Sequence, residues 1–380
     1  MRYPIIATVC ILAVSLTLSV AHAAERSLAT LLSELQQLDR LAQGHDQAIE
    51  AWQIIAKADA QEIPAILAGM RDDNPLANNW IRAAVDAIAE RTLQDGQPLP
   101  TEALDAYLSD TKHSPRSRRL AFEWLTTADP AARDRWIPRL LDDPSLELRR
   151  EAVAWKLDQA KSAQEQSKPA EAKAAYEVAL RSARDLDQIQ AATEALRKQG
   201  ETVDLPTLFG FLTSWYLIAP FDNTDTKGFD VAYPPEERID LGASYEGKDQ
   251  QVQWQQATTE DEYGKVDLNK LLAKHKGAIA YATTTFESDV ERPVDIRLGC
   301  INGNKVWLNG ELLMANHVYH AGDGIDQYTG RGTLKQGTNT ILVKICQNEQ
   351  TEEWAQSWEF QLRVCDELGT AVLSTDRQAQ

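Results

Sequence analysis

The chain has 380 residues, enough for two domains and a sizeable core. It is 43% hydrophobic and 25% charged, close to the globular average, which excludes a disordered chain and a multi-spanning membrane protein. With 57 acidic against 39 basic residues the formal net charge is −18, and no basic patch interrupts it, so nucleic acid and anionic lipid are excluded as partners.

The first segment reads as a secretory signal. Met1-Arg2-Tyr3 carries one positive charge, an apolar run extends from Ile5 to Val20, and Ala21-His22-Ala23 places small residues where a signal peptidase reads. The run is shorter than the roughly twenty residues needed to span a bilayer. It predicts cleavage after Ala23, an exported protein that is periplasmic or secreted, and no membrane span once the signal is removed. Cys10 lies too early in the run to be a lipid-attachment cysteine.

Residues 24–200 predict a helical domain. Only Gly44, Gly69, Gly96 and Gly200 of the nineteen glycines fall in this stretch, and apolar residues recur at helical spacing, as in Trp80, Ile81, Ala84, Val85 and Ile88. Capping residues followed by proline mark helix starts at Asn74-Pro75, Ser114-Pro115, Asp129-Pro130 and Asp143-Pro144. Three segments align: Arg82-Ala83-Ala84-Val85, Arg119-Leu120-Ala121-Phe122 and Arg150-Glu151-Ala152-Val153 are spaced by 37 and 31 residues, each preceded by an acid, Asp73, Asp110 or Asp143. Ile63-Pro64 and Ile137-Pro138 recur 74 residues apart. With an aspartate in the turn and an arginine in the second helix, residues 45–160 resemble HEAT repeats; the pair at 168–199 is equally similar to a tetratricopeptide unit. The resemblance implies an α-solenoid whose extended concave surface binds a protein partner. The repeated Asp and Arg read as structural groups that satisfy turn amides and neighbouring carboxylates.

Residues 201–376 predict an antiparallel β-sandwich. Alternation or apolar runs bounded by turns place strands over 278–286, 294–298, 305–308, 340–346 and 358–364, with no helices between them. Trp307 and Trp358 read as core. Asn309-Gly310 after Lys305–Leu308 predicts a hairpin turn, because both residues tolerate positive φ. That pattern, followed by Leu334-Lys335-Gln336-Gly337-Thr338-Asn339 and an apolar strand, resembles the jelly-roll sugar-binding domain of family-two glycoside hydrolases, within the galactose-binding-like class. Trp215-Tyr216-Leu217-Ile218-Ala219-Pro220-Phe221-Asp222-Asn223, Gly228-Phe229, Tyr233-Pro234-Pro235-Glu236 and Trp254 extend this to a module found after helical repeats in exported proteins of planctomycete-type bacteria, with Ala219 where a glycine is expected. The resemblance implies architecture and export.

Three cysteines, Cys300, Cys346 and Cys365, lie in this region. At most one pair can form within the chain; strand alternation puts Cys346 and Cys365 on one type of face, which makes them the pair to consider against three buried thiols.

Several motifs fail on chemistry. Gly242–Asp249 resembles a phosphate-binding loop but ends in an aspartate that repels phosphate. Asn223–Gly228 has the composition of a calcium loop, yet its twelfth position is Pro234 rather than a bidentate glutamate. The jelly-roll resemblance keeps one structural calcium open; no other cofactor is implied. His317 and His320, three apart on an extended segment, point to opposite faces. No nucleophile elbow or zinc-protease run is present, and no two carboxyls are singled out for glycoside hydrolysis.

The sequence therefore predicts an exported, non-catalytic interaction protein: helical repeats that bind a protein and a sandwich that binds a glycan or a protein. A narrower alternative is a carbohydrate-binding module protein acting on extracellular or envelope polysaccharide, with ligand contacts from the loop Asn316–Arg331 through His317, Tyr319, Asp323, Asp326 and Tyr328, and Trp254 as an added platform. A cryptic glycoside hydrolase using Asp323 or Asp326 is the remaining alternative.

Overall fold

The computed structural model describes residues 26–38, 41, 43–322 and 324–377. The expected signal at 1–23, Cys10 and Asp323 lie outside the described residues. The chain divides into two compact units, the first ending at Trp136 and the second beginning at Ile137.

The first unit is helical: α1 Leu28–Gln36, α2 His45–Ile55, α3 Ile63–Leu67, α4 Pro75–Gln94, α5 Thr101–Ser109, α6 Pro115–Ala128 and α7 Ala131–Trp136. α4 starts where Asn74 accepts from the Ala77 amide at 3.1 Å, with Pro75 at the first helical position. The repeat side chains tie one helix to another. Arg82 of α4 and Arg119 of α6 both donate to Glu123, at 2.6 and 2.9 Å, and Trp124 Nε1 of α6 returns a 2.8 Å bond to Asp86 of α4.

The second unit opens with α8 Leu146–Glu165, α9 Pro169–Ser182, α10 Leu186–Lys198 and α11 Leu205–Phe209. α8 starts two residues after the expected Asp143-Pro144, because Ser145 rather than Asp143 caps it; Asp143 instead accepts from the Ser145 amide at 2.8 Å. Arg150 reaches Asp187 of α10 through two bonds of 2.9 and 2.7 Å. Composition changes near residue 200, but the compact units change at 137, since Leu157, Tyr176, Ile189 and Leu196 of these helices share one apolar cluster with Phe209, Phe211 and Tyr263.

Twelve strands follow among the described residues: β1 Ser214–Asp222, β2 Ser244–Glu246, β3 Gln251–Gln253, β4 Gln255–Thr258, β5 Val266–Asp267, β6 Ala278–Ser288, β7 Arg292–Cys300, β8 Gly303–Leu308, β9 Glu311–Asn316, β10 Tyr328–Leu334, β11 Gly337–Gln347 and β12 Glu359–Cys365. They form antiparallel sheets in the orders β4-β1-β6-β11-β8-β9 and β10-β7-β12-β5, with β2-β3 a separate ribbon. Alternate residues of the two large sheets interleave: Leu217, Ala280, Ala282, Val306, Ile341, Val343 and Ile345 meet Val294, Ile296, Leu298, Phe360, Leu362 and Val364 in one buried core.

The two sequence motifs are fold determinants. Asn309 and Gly310 adopt φ of 53° and 82° in the β8–β9 turn, and Gly337 turns into β11 at φ 95°. The fully buried Asn339 accepts from the Lys335 amide at 2.8 Å and donates to the carbonyls of Lys335 and Gly337, while Asn309 donates to Asn339 at 2.8 Å, so the motifs lock each other. Two expectations are corrected. The segment Asn316–Arg331 is loop only in its middle, because Tyr328–Arg331 pair with β7. Cys300, Cys346 and Cys365 are all buried free thiols: Cys346 and Cys365 do face away from the core, but from different sheets.

Candidate functional site

Because β6 and β11 are long central strands, their outward residues form rows across the six-stranded sheet. Four rows can be followed by register. Two are apolar or buried: Cys346, Ile279 and Phe221 in one, Lys344, Tyr281 and Ile218 in the next. Then come Trp307, Leu342, Thr283, Tyr216 and Gln256, crossing five strands, and finally Thr340 beside Thr285, with Ser214 one strand on.

The first two rows are sealed by the segment 223–241. Phe229, Tyr233 and Ile239 from that segment pack with Phe221, Ile279, Tyr281 and Cys346. Lys344, with no exposed side-chain surface, holds the cover in place: its Nζ donates to the carbonyls of Phe229 and Val231 at 3.1 and 2.7 Å and to Glu236 at 2.7 Å. The Tyr281 hydroxyl also donates to Glu236. Burial pushes the Tyr281 phenol well above its usual range, reinforced by the Glu236 charge, and pushes Lys344 below the usual lysine range against the pull of Glu236. The Cys346 thiol, likewise buried, is pushed up to about 12 and is not a nucleophile.

The other two rows are less covered: Thr285 is exposed and Thr340, Trp307 and Tyr216 are half-buried, while Leu342 and Thr283 between the two rings are buried. These two rows floor a groove of about 880 Å³ whose lining includes Tyr216, Gln256, Thr285, Trp307, Thr340 and Leu342, with Glu236, Arg238 and Ile239 of the cover as one wall and Ser374, Asp376 and Arg377 beyond. Trp307 and Tyr216, both half-buried, stand on β8 and β1, three strands apart, or about 14 Å at the usual strand spacing. Trp307, read from the sequence as core, packs half-buried against the sealed cluster on the outer face rather than between the sheets; Trp358 is in the inter-sheet core, fully buried and donating to the Ile345 carbonyl. Of the lining acids, Glu236 is committed to Lys344 and Tyr281.

The sequence-derived contact residues do not gather in the groove. Trp254 is 9% exposed within the sealed layer and offers no free face. His317 is exposed but stacks on Phe229 at 4.2 Å between centroids. Tyr319 accepts from Asn223 at 3.1 Å, and burial pushes its phenol up to about 12. Tyr328 is half-buried against the inter-sheet core. Asp326 is structural: it bridges Arg363 and Arg297 on the far sheet, and although burial raises its pKa, the two guanidiniums more than offset this and hold its carboxyl below the usual range. Among the described residues no three His, Cys, Asp or Glu side chains gather as a metal set, and no helix is long and apolar enough to cross a membrane. Sequence reasoning missed Tyr216, Trp307 and the threonines. Their signal is the change along the outward positions of β6, from Ile279 and Tyr281 to Thr283 and Thr285.

No protein-family model and no curated protein matches the chain. Among solved structures, partial likenesses occur to a β-glucosidase from Kluyveromyces marxianus in complex with glucose (18% identity, 23% of this chain and 11% of that chain, TM-score 0.19). Another is to an FMN-binding β-glucuronidase from Facaelibacterium prausnitzii L2-6 (11% identity, 40% and 21%, TM-score 0.23). A third is to an anti-sigma factor domain-containing protein (11% identity, 44% and 48%, TM-score 0.23). The chain thus spans less than half the length of each, and likenesses this partial leave function to the geometry of the site.

Proposed function

We propose that this is an exported, non-catalytic binding protein whose sandwich holds a glycan in the groove of the six-stranded sheet and whose HEAT-like helices present a surface to a protein partner. The observation that carries the reading is the row Trp307–Leu342–Thr283–Tyr216–Gln256 beneath the groove: two half-buried aromatic rings about 14 Å apart flank Leu342 and Thr283, with Thr285 and Thr340 of the next row beside them. Aromatic faces take the C–H faces of sugar rings, and the polar rim answers their hydroxyls. A volume of about 880 Å³ lies in the range of ligand sites. Basic and acidic side chains balance along the lining, Arg238, Lys335 and Arg377 against Glu236, Glu237 and Asp376, which favours a neutral glycan over a polyanion.

The test is a glycan array probed with the full chain, followed by calorimetry on the best ligand with Trp307→Ala and Tyr216→Ala. Binding that both substitutions weaken, with unchanged circular dichroism, is the expected result. A blank array, or affinity indifferent to both rings, refutes the groove.

A further inference from the structure

A second aromatic surface lies at the other end of the sandwich, where the loops after β9 and β11 meet. Trp354, on a short turn between β11 and β12, is 59% exposed. The turn beneath it is fixed: the buried Ala355 receives Lys276 Nζ on its carbonyl at 2.7 Å, and Gln356 donates to the carbonyls of Thr351 and Glu352 at 2.7 and 3.0 Å. The indole is thus held out on a rigid base, as a stacking platform must be to keep its ordering entropy low.

His320 braces it from the edge, with ring centroids 4.9 Å apart and planes at 84°. This histidine is held in an unfavourable state. Its φ is +59°, in the left-handed region. Its Nε2 lies 3.3 Å from Asn348 Oδ1, and its Nδ1 is buried without a hydrogen-bond partner among the described residues. Strain and an unanswered polar atom beside an exposed indole are the marks of a site rather than of packing. The buried Asn348 donates through Nδ2 to Gln350 Oε1 at 2.8 Å, which ties an exposed amide to the histidine that touches the indole. The neighbouring Glu352 and Glu353 are exposed acids that disfavour an anionic ligand.

We propose that Trp354, braced by His320, to which the Gln350 amide is tied through Asn348, is a stacking platform for a neutral pyranose, separate from the groove. Leu342 in the groove and Asn348 beside the platform are six residues apart along the chain, about 20 Å on an extended strand, with the sealed rows between them. A single flat ring with an exposed amide tied to its histidine matches the C–H face and hydroxyls of one sugar; a protein hot spot would be centred among other apolar groups.

The test uses the full chain labelled with 5-fluorotryptophan, with the Trp354 and Trp307 ¹⁹F resonances assigned through Trp354→Phe and Trp307→Phe. D-glucose, D-galactose, D-mannose and N-acetylglucosamine are titrated in turn. The Trp354 resonance is expected to move saturably with at least one of them, and His320→Ala to weaken that response severalfold while leaving the Trp307 resonance in place. A Trp354 resonance silent to all four sugars overturns the platform, including the case in which it answers only to an added protein. Trp307 reports on the groove separately, so failure of one site is distinguishable from failure of the other.

Discussion

One sheet face carries two surfaces built by the same strands to opposite ends. Along β11, Cys346 and Lys344 disappear under the segment 223–241, while Leu342 and Thr340 face a groove; along β6, Ile279 and Tyr281 are covered while Thr285 is exposed. The covered half spends a buried lysine, a glutamate and two backbone carbonyls on holding its lid down. The other half carries the Thr285 and Thr340 hydroxyls and two aromatic rings, Trp307 and Tyr216, that the fold leaves half-exposed.

The contrast breaks most severely at Lys344. Lys344→Met leaves Glu236 and two carbonyls without their buried cation, and a loss of about 3–5 kcal/mol is expected from urea unfolding. Hydrogen exchange should rise first across 229–237. A second effect, about 2–4 kcal/mol, is expected for Asp326→Asn on the opposite sheet, because Arg363 and Arg297 lose their shared counter-charge. The pH dependence has a definite sign. The folded-state pKa of Asp326 is depressed, so its contribution is present above the ordinary aspartate pKa of about 4 and is lost as pH falls below it through the folded value. The melting-temperature gap between wild type and Asp326→Asn should therefore narrow below about pH 4.

The groove half responds differently. Trp307→Ala should lower glycan affinity about tenfold, or about 1.4 kcal/mol, beyond the stability that its half-buried ring contributes by packing on the sealed cluster, as calorimetry and unfolding on the same preparation would show. A variant that loses stability instead of affinity would make Trp307 a packing residue and erase the contrast. The smallest effect is expected at His317→Ala, whose ring rests on Phe229 away from the groove: glycan affinity should stay within about twofold.

Much of the fold was legible because its cues are local. Asn309-Gly310, Gly337 and Asn339 specify turns by their own backbone needs, and the alternation Trp358, Phe360, Leu362, Val364 identifies a strand whatever its partner, although its other face, with Gln361 and Arg363, is not wet as the alternation implies but buried too. The groove was not legible, because it depends on register. Trp307, Leu342, Thr283 and Tyr216 are scattered over more than a hundred residues and become one row only through strand pairing. The same dependence explains the errors. Trp307 alternates correctly as a strand residue, but nothing local says whether its face meets the other sheet or the groove. Asp326 looked like a loop carboxylate until Arg297 and Arg363, from two other strands, closed on it. Trp254 is an aromatic whose burial is set by the segment 223–241 folding over it.

The central claim of the proposal is that the groove floored by these two rows of the six-stranded sheet is where the ligand lies. Hydrogen exchange of the full chain, with and without the best glycan from the array, tests it most directly. Protection is expected in peptides carrying 214–216, 283–285 and 307–310, and unchanged exchange in 292–300 and 359–365 of the opposite sheet. Protection confined to those latter strands, or none in the sheet that carries Trp307, would contradict it.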